Sequence, residues 1–264
     1  RPLRRPGCQR GPAVVTDISP RHRAAAVPWV FAGAAILAQI TWILVPAGDR
    51  ELVTSLVVLL FAAASLSHAW QQFGTGWALR FAVISAGFGL LIELLGHTTD
   101  IPFGPYDYTE LLRPQILGVP VIVPLAWTMM AYPCLVLARS LTQRWVVPLA
   151  AVGLTTWDFF LDPQMVGEGY WVWERTQPAL PGIPGIPLQN YAGWLLGSLL
   201  LMWVLNRLPR QECALGVPLL LYGWMWIGGI IANAVFLDRP SVALVGGLGM
   251  AVLGLPALLS WWRR

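Results

Sequence analysis

Stretches of about twenty almost wholly apolar residues follow one another along the chain, and no other feature restricts its fold as strongly. A helix needs about 20 residues to cross the ~30 Å hydrocarbon layer of a bilayer. Candidate spans lie at 28–46, 52–70, 77–96, 117–138, 145–161, 191–208, 215–237 and 242–262, the fifth being the shortest. They leave short loops and no room for a separate soluble domain. Charged residues make up 11% of the chain, against about 25% in an ordinary soluble domain. A water-soluble globule and a disordered chain are both excluded by that figure. Backbone groups in hydrocarbon must find partners within their own segment, so the spans are expected to be helices. The fold class expected is all-α, a polytopic membrane bundle of about eight helices (seven or eight). Residues 1–27 are expected to form a basic, disordered cytoplasmic tail, and 28–264 a single transmembrane domain.

Orientation follows from arginine, which supplies all 17 basic residues. With eight spans and a cytoplasmic N-terminus, thirteen arginines fall inside and four (Arg50, Arg113, Arg175, Arg239) outside. That split obeys the positive-inside rule. The chain is expected to be a multi-pass protein of the bacterial plasma membrane, in contact with lipid. The net charge of +4 does not mark a nucleic-acid binder, because the arginines are scattered between apolar segments. Two outer loops, 97–116 and 162–190, are long, rich in Pro and Gly, and rich in Tyr and Trp. Such loops often sit in the headgroup layer or fold back over a cavity, and an ordinary connecting loop is an equal alternative.

Two acids lie inside spans. Glu93 is three residues from the end of the third span and Asp158 three from the end of the fifth. An ionised residue at a helix centre costs about 2.5–3.5 kcal/mol by insertion scales, and less near the ends, so such residues are functional candidates. Both spans run in the same direction, which puts both carboxyls at a similar depth near the outer side. Glu93 and His97 are spaced i,i+4, as are Asp158 and Asp162, so each pair shares a helix face. Pro163 is expected to stop the fifth helix. A neutral carboxylic acid beside an ionised partner is one way for a site to obtain a strong general acid. The competing explanation is that these acids pair with Arg113 or Arg175, or cap loop amides.

Other constellations are weak or absent. Cys8, Cys134 and Cys213 are far apart, which argues against a disulfide framework or a zinc site. Asp158-x-x-x-Asp162 matches half of the Asp-rich pair that binds magnesium diphosphate in membrane prenyltransferases, but a second such motif and any lysine are missing. Three histidines are too few for a histidine-box oxygenase. No metal or cofactor is expected. His68 reads as a headgroup contact at the inner end of the second span. Gln39, Asn206 and Asn233 read as hydrogen-bonding residues between helices.

Three strings carry a resemblance: 89–133 (GLLIELLGHTTDIPFGPYDYTELLRPQILGVPVIVPLAWTMMAYP), 155–174 (TTWDFFLDPQMVGEGYWVWE) and 185–196 (GIPLQNYAGWLL). The order PFG-x-Y-x-Y, GVP-x-x-x-PLAW, WD-x-x-x-DP, N-x-x-GW resembles the integral-membrane carotenoid biosynthesis family. Its characterised members are the CruF-type carotenoid 1,2-hydratases, the bisanhydrobacterioruberin hydratases among them. The resemblance covers roughly residues 30–240 and departs at Asp100, where Gly is usual. It implies addition of water across the terminal 1,2 double bond of an acyclic carotenoid end (lycopene, γ-carotene or bisanhydrobacterioruberin type), giving a tertiary alcohol. The implied partners are a carotenoid within the bilayer and other enzymes of carotenoid synthesis.

The residues suit that chemistry on their own. Hydrating a trisubstituted alkene takes no redox cofactor. A proton goes to C2, a tertiary cation forms at C1, and water attacks C1. Protonation is the hard step, so the site needs a carboxylic acid in a poorly hydrated place. Aromatic faces would stabilise the cation by about 0.5–2 kcal/mol each. Tyr106, Tyr108, Trp127, Trp157, Trp171, Trp173 and Trp194 are candidates, although each equally suits a boundary belt or ordinary packing. Asp158 is the expected proton donor, with Asp162 controlling its ionisation. Glu93, working through His97, is expected to orient water or act as base. Asp107 and Asn190 complete the polar set. An end-group cyclase using the same protonation remains open, as do a proton-coupled transporter of lipid or ions and a membrane scaffold.

Overall fold

The computed structural model describes residues 20–263. Residues 1–19 of the expected tail lie outside the described residues. Residues 20–27, expected to belong to that tail, instead start the first helix, α1 (Pro20–Leu44). Proline suits a first helical position because its missing N–H would be unpaired there anyway.

Seven further helices follow: α2 (Glu51–Phe73), α3 (Thr75–Thr99), α4 (Ile122–Leu141), α5 (Val146–Gly167), α6 (Leu188–Leu205), α7 (Gly216–Phe236) and α8 (Pro240–Trp262). Among the described residues seven helices are long and apolar enough to cross a membrane, and α5 is the one that falls short. It spans the bundle by being enclosed, packed on α4, α6 and α8. Its polar residues Thr155, Thr156, Asp158 and Asp162 are buried in protein, where a membrane helix can carry them. Pro163 does not end this helix, which runs on to Gly167. Proline removes one backbone hydrogen bond, and here tertiary packing outweighs that loss.

The core centres on α4, whose residues 126–138 are all buried. It packs on α2, α3 and α5. His68, expected at the headgroups, is buried against this helix, with Nδ1 2.7 Å from the Tyr132 hydroxyl. The reason is length: α2 continues to Phe73, which draws His68 more than a turn inward. Gln39 does bridge helices as expected, accepting from Trp224 on α7. Asn206 accepts from Arg139 on α4. Asn233 departs from the expectation and donates to Gly229 in its own helix. Helix α7 contains two wide turns with i→i+5 bonding, Trp224–Gly228 and Ala232–Phe236.

The two long loops fold back over the bundle as short strands: β1 (Tyr106–Tyr108), β2 (Gln115–Ile116), β3 (Val119–Pro120), β4 (Trp171–Trp173), β5 (Ala179–Leu180) and β6 (Ile183–Pro187). β2 pairs with β3 and β5 with β6, each within its own loop. β1 and β4 come from different loops and pair antiparallel, Tyr106 opposite Trp173, Asp107 opposite Val172, and Tyr108 opposite Trp171. This ribbon closes one end of the space between α3, α4, α5 and α6. Helix α3 reaches it through Asp100, which caps the helix in the left-handed conformation (φ 62°). That geometry favours glycine and tolerates aspartate.

Candidate active site

Three buried acids meet beneath the β1–β4 ribbon. Glu93 comes from α3, and Asp158 and Asp162 come from successive turns of α5. All three line one cavity of about 90 Å³. Among the described residues the ion pairs are Arg50–Glu168 and Arg113–Glu110, so none of the three acids is neutralised by arginine.

Their polar partners are instead neutral donors. The Tyr106 and Tyr108 hydroxyls both donate to Glu93 Oε2 at 2.8 Å, and Trp127 Nε1 donates to Oε1 at 2.9 Å. Asp162 Oδ1 accepts from Trp171 Nε1 at 2.6 Å and from Trp173 Nε1 at 3.3 Å. Asn190 Nδ2 bridges the two aspartates, donating to Asp158 Oδ2 at 2.9 Å and to Asp162 Oδ2 at 2.7 Å. Asp162 thus receives three hydrogen bonds on two oxygens, whereas the side-chain bond described for Asp158 is the Asn190 one. Hydrogen bonds from N–H groups favour the anionic form of a carboxylate. The partner set of Asp162 is therefore that of a carboxylate, and the sparer set of Asp158 leaves room for a proton.

The ribbon explains how two loops serve two acids. Side chains alternate across a strand. Tyr106 and Tyr108 therefore point inward together to Glu93, and Trp171 and Trp173 point inward together to Asp162. Asp107 and Val172 point outward, and both are exposed. Burial and the neighbouring Glu93 charge push the Tyr106 and Tyr108 phenols up from their ordinary value, so both remain donors.

Helix α6 supplies the fourth wall. Asn190 and Trp194 are one turn apart on its inner face, and Trp194 stacks on Trp127 with ring centroids 4.1 Å apart and planes within 3°. Trp157 meets Trp194 edge-on at 6.1 Å. Gly193 between them lets the Pro102–Phe103 backbone approach, since a Cβ there would lie 2.9 Å from Pro102 carbonyl atoms. The result is an apolar chamber with aromatic faces on several sides and an acid pair at one wall.

The sequence matches the model of the family described as "Carotenoid biosynthesis protein" over residues 53–253, a stretch that contains all three acids and their hydrogen-bond partners. The chain belongs to that family. It is also 39% identical over 116 residues to a bisanhydrobacterioruberin hydratase of Haloarcula japonica. That match covers 40% of this chain and 37% of the hydratase, so the chain spans well under half the length of the curated relative it matches. No solved structure matches the chain.

Within this family member the cavity gathers Glu93, Asp158, Asp162, Asn190, Tyr106, Tyr108, Trp127, Trp157, Trp171, Trp173 and Trp194. Two expected residues are not brought in. Asp107 faces away because the strand alternates. His97 is not hydrogen-bonded to Glu93 despite the i,i+4 spacing; the two tyrosine hydroxyls occupy that carboxylate. The His97 ring lies behind them, its centroid 6.4 Å from the Tyr106 ring, and its Nδ1 is buried without a hydrogen-bond partner. Several aromatics expected to offer ring faces (Tyr106, Tyr108, Trp127, Trp171, Trp173) also place a polar edge on an acid. Phe103 and Gln164 line the chamber as well, although sequence reasoning did not single them out. Phe103 sits within the PFG string, so its aromatic ring beside an invited turn was the available signal.

Proposed function

We propose that this protein hydrates the terminal 1,2 double bond of an acyclic carotenoid. The observation that carries the reading is the Asp158–Asn190–Asp162 bridge, two carboxyl groups with unequal donor sets opening into an aromatic, arginine-free cavity. Asp158 gives its proton to C2, and the electron pair of the alkene forms the new C–H bond. The tertiary cation at C1 lies among the faces of Trp127, Trp157 and Trp194. Water attacks C1 and releases its extra proton to the Asp158 carboxylate, which restores the starting state. Asp162 stays ionised under its three donors and keeps the proton on its neighbour. Glu93 lines the same cavity, and its two tyrosines provide hydroxyls that hold the attacking water. The family membership and the hydratase relative support the same substrate class and reaction.

The arginine distribution supports a cytoplasmic N-terminus, which puts the ribbon and the acids toward the outer side of the plasma membrane. The test is expression in a lycopene-producing cell with analysis of its pigments. Hydration increases the mass of lycopene by one water per reacted end, and the Asp158→Asn variant accumulates the unchanged carotenoid. A product of unaltered mass but shifted spectrum would identify a cyclase. Wild-type product made by Asp158→Asn would remove this residue as the donor.

A further inference from the structure

A second and much larger cavity, about 700 Å³, lies between α1 and α7. It shares Gln39, Trp42, Trp157, Leu161, Gln164 and Met225 with the acid chamber, so the two spaces adjoin across a neck formed by these side chains. We propose that this α1–α7 cleft binds the polyene rod of the substrate, taken in sideways from the bilayer, while the end group passes the neck to the acids. The proposal rests on the carotenoid reading above and adds where the remainder of the molecule lies.

A rod of roughly bilayer length cannot enter a chamber of about 90 Å³, so only its tip can reach Asp158. The rest must leave through an opening that is apolar and continuous with the chamber. The α1–α7 cleft is apolar and directly adjoins the chamber. Helices α1 and α7 are the least enclosed of the seven apolar helices, with 22% and 17% of their apolar windows buried. They touch at one end, where the Trp29 ring lies so close to Gly216 that a Cβ there would meet it at 2.9 Å. At the neck Trp224 Nε1 donates to Gln39 Oε1 at 2.6 Å, and Gln39 Nε2 reaches the Met225 sulfur at 3.4 Å. Past the neck the cleft is bordered by Leu44, Ile231 and Phe236, each at least half exposed. The wide turns of α7 fall along this wall and contribute Trp224, Met225, Trp226, Ala232 and Phe236 to it. The walls also present the rings of Trp157, Phe160, Trp224 and Trp226. Flat, polarizable faces suit a rigid conjugated chain better than a flexible acyl chain.

Gly223 lines the cleft, and a Cβ there would meet nothing within 4 Å. Gly223→Phe therefore fills the channel without a backbone clash. Gly33→Phe is the matched control, since Gly33 is exposed on α1, has equal space and lines neither cavity. Each change is placed in an Asp158→Asn background and the protein is purified in mild detergent from lycopene-producing cells. Bound lycopene, achiral when free, is read as visible circular dichroism and as pigment per protein. Asp158→Asn and Asp158→Asn/Gly33→Phe should retain pigment, and Asp158→Asn/Gly223→Phe should lose about tenfold or more. Should the Gly223 variant not run as a folded species on gel filtration, Ala232→Phe, in the same wall, replaces it. Pigment undiminished by cleft filling, pigment lost equally with Gly33→Phe, or no pigment on Asp158→Asn would each overturn the proposal. So would mass spectra in which a phospholipid, not lycopene, is displaced. Failure of wild-type protein to add water, with the binding pattern intact, would overturn the hydration reading alone.

Discussion

Replacing Asn190 by leucine tests the acid pair most directly. The side chain is 2% exposed, so water cannot take over its role. Its amide makes two hydrogen bonds, 2.9 Å to Asp158 and 2.7 Å to Asp162. A hydrogen bond to a charged group contributes about 1.5–3 kcal/mol, and removing both withdraws roughly 3–6 kcal/mol from the state with one proton and one charge. Leucine keeps most of the volume, so the loss is chiefly electrostatic. The pair can then relax only by protonating both aspartates or rotating them apart, and either outcome removes the controlled donor. If the barrier rises by that amount, hydration slows by a factor of about 10² to 10⁴. The assay is the ratio of hydrated to unhydrated lycopene over time in membranes from expressing cells, normalised to protein, with gel filtration to establish folding. Activity of a folded Asn190→Leu protein within about threefold of wild type would refute the argument, because the bridge would then be dispensable.

Glu93→Gln leaves an oxygen to accept from Trp127 but sets an amide NH2 against the two tyrosine hydroxyls, which lose their acceptor, so hydration and thermal stability in detergent should both fall, the latter by about 1–3 kcal/mol. Asp107→Asn should leave pigment conversion unchanged and stability within about 0.5 kcal/mol, because the side chain faces out of the ribbon; a large loss in product analysis would contradict its placement. The Tyr106 and Tyr108 phenols are raised by burial, so the folded protein keeps their protons above the ordinary phenol range. The unfolded chain releases them near pH 10, so their contribution is complete below about pH 10 and lost as pH rises beyond it. Thermal unfolding in detergent from pH 8 to 11 should show that fall, and Tyr106→Phe/Tyr108→Phe should flatten it. Gly96→Ala should disturb the same tyrosines, since a Cβ there would lie 2.6 Å from the Phe103 ring and 3.2 Å from the Tyr106 hydroxyl; reduced hydration is the readout.

Local spacing made a large part of the site legible. Two turns of one helix put Asp158 and Asp162 on a common face, and the same rule set Asn190 beside Trp194. The rule failed for His97, because sharing a helix face with Glu93 does not decide which neighbour occupies the carboxylate. Tyr106 and Tyr108 won that place by arriving from a strand. Tyr-Asp-Tyr and Trp-Val-Trp carry a period of two, the signature that sends Asp107 outward, but three residues amid Pro and Gly are too few to be read as strands. The ends of helices were the other weak point. Pro163 and the tail boundary were judged from local preference; packing carried α5 past the first, and α1 begins at Pro20, ahead of the second.

The sequence by itself determined that the chain lives in a bilayer, where its long apolar segments lie, which acids are set inside them, and which family it joins. Those properties reside in hydropathy, composition and short motifs, all of them local. Only the tertiary structure decided that β1 pairs with β4, which donors reach each acid, and that a cleft between α1 and α7 adjoins the chamber. These depend on residues far apart in the chain meeting in space. Such meetings are settled by the packing of whole helices, which no nearby spacing encodes.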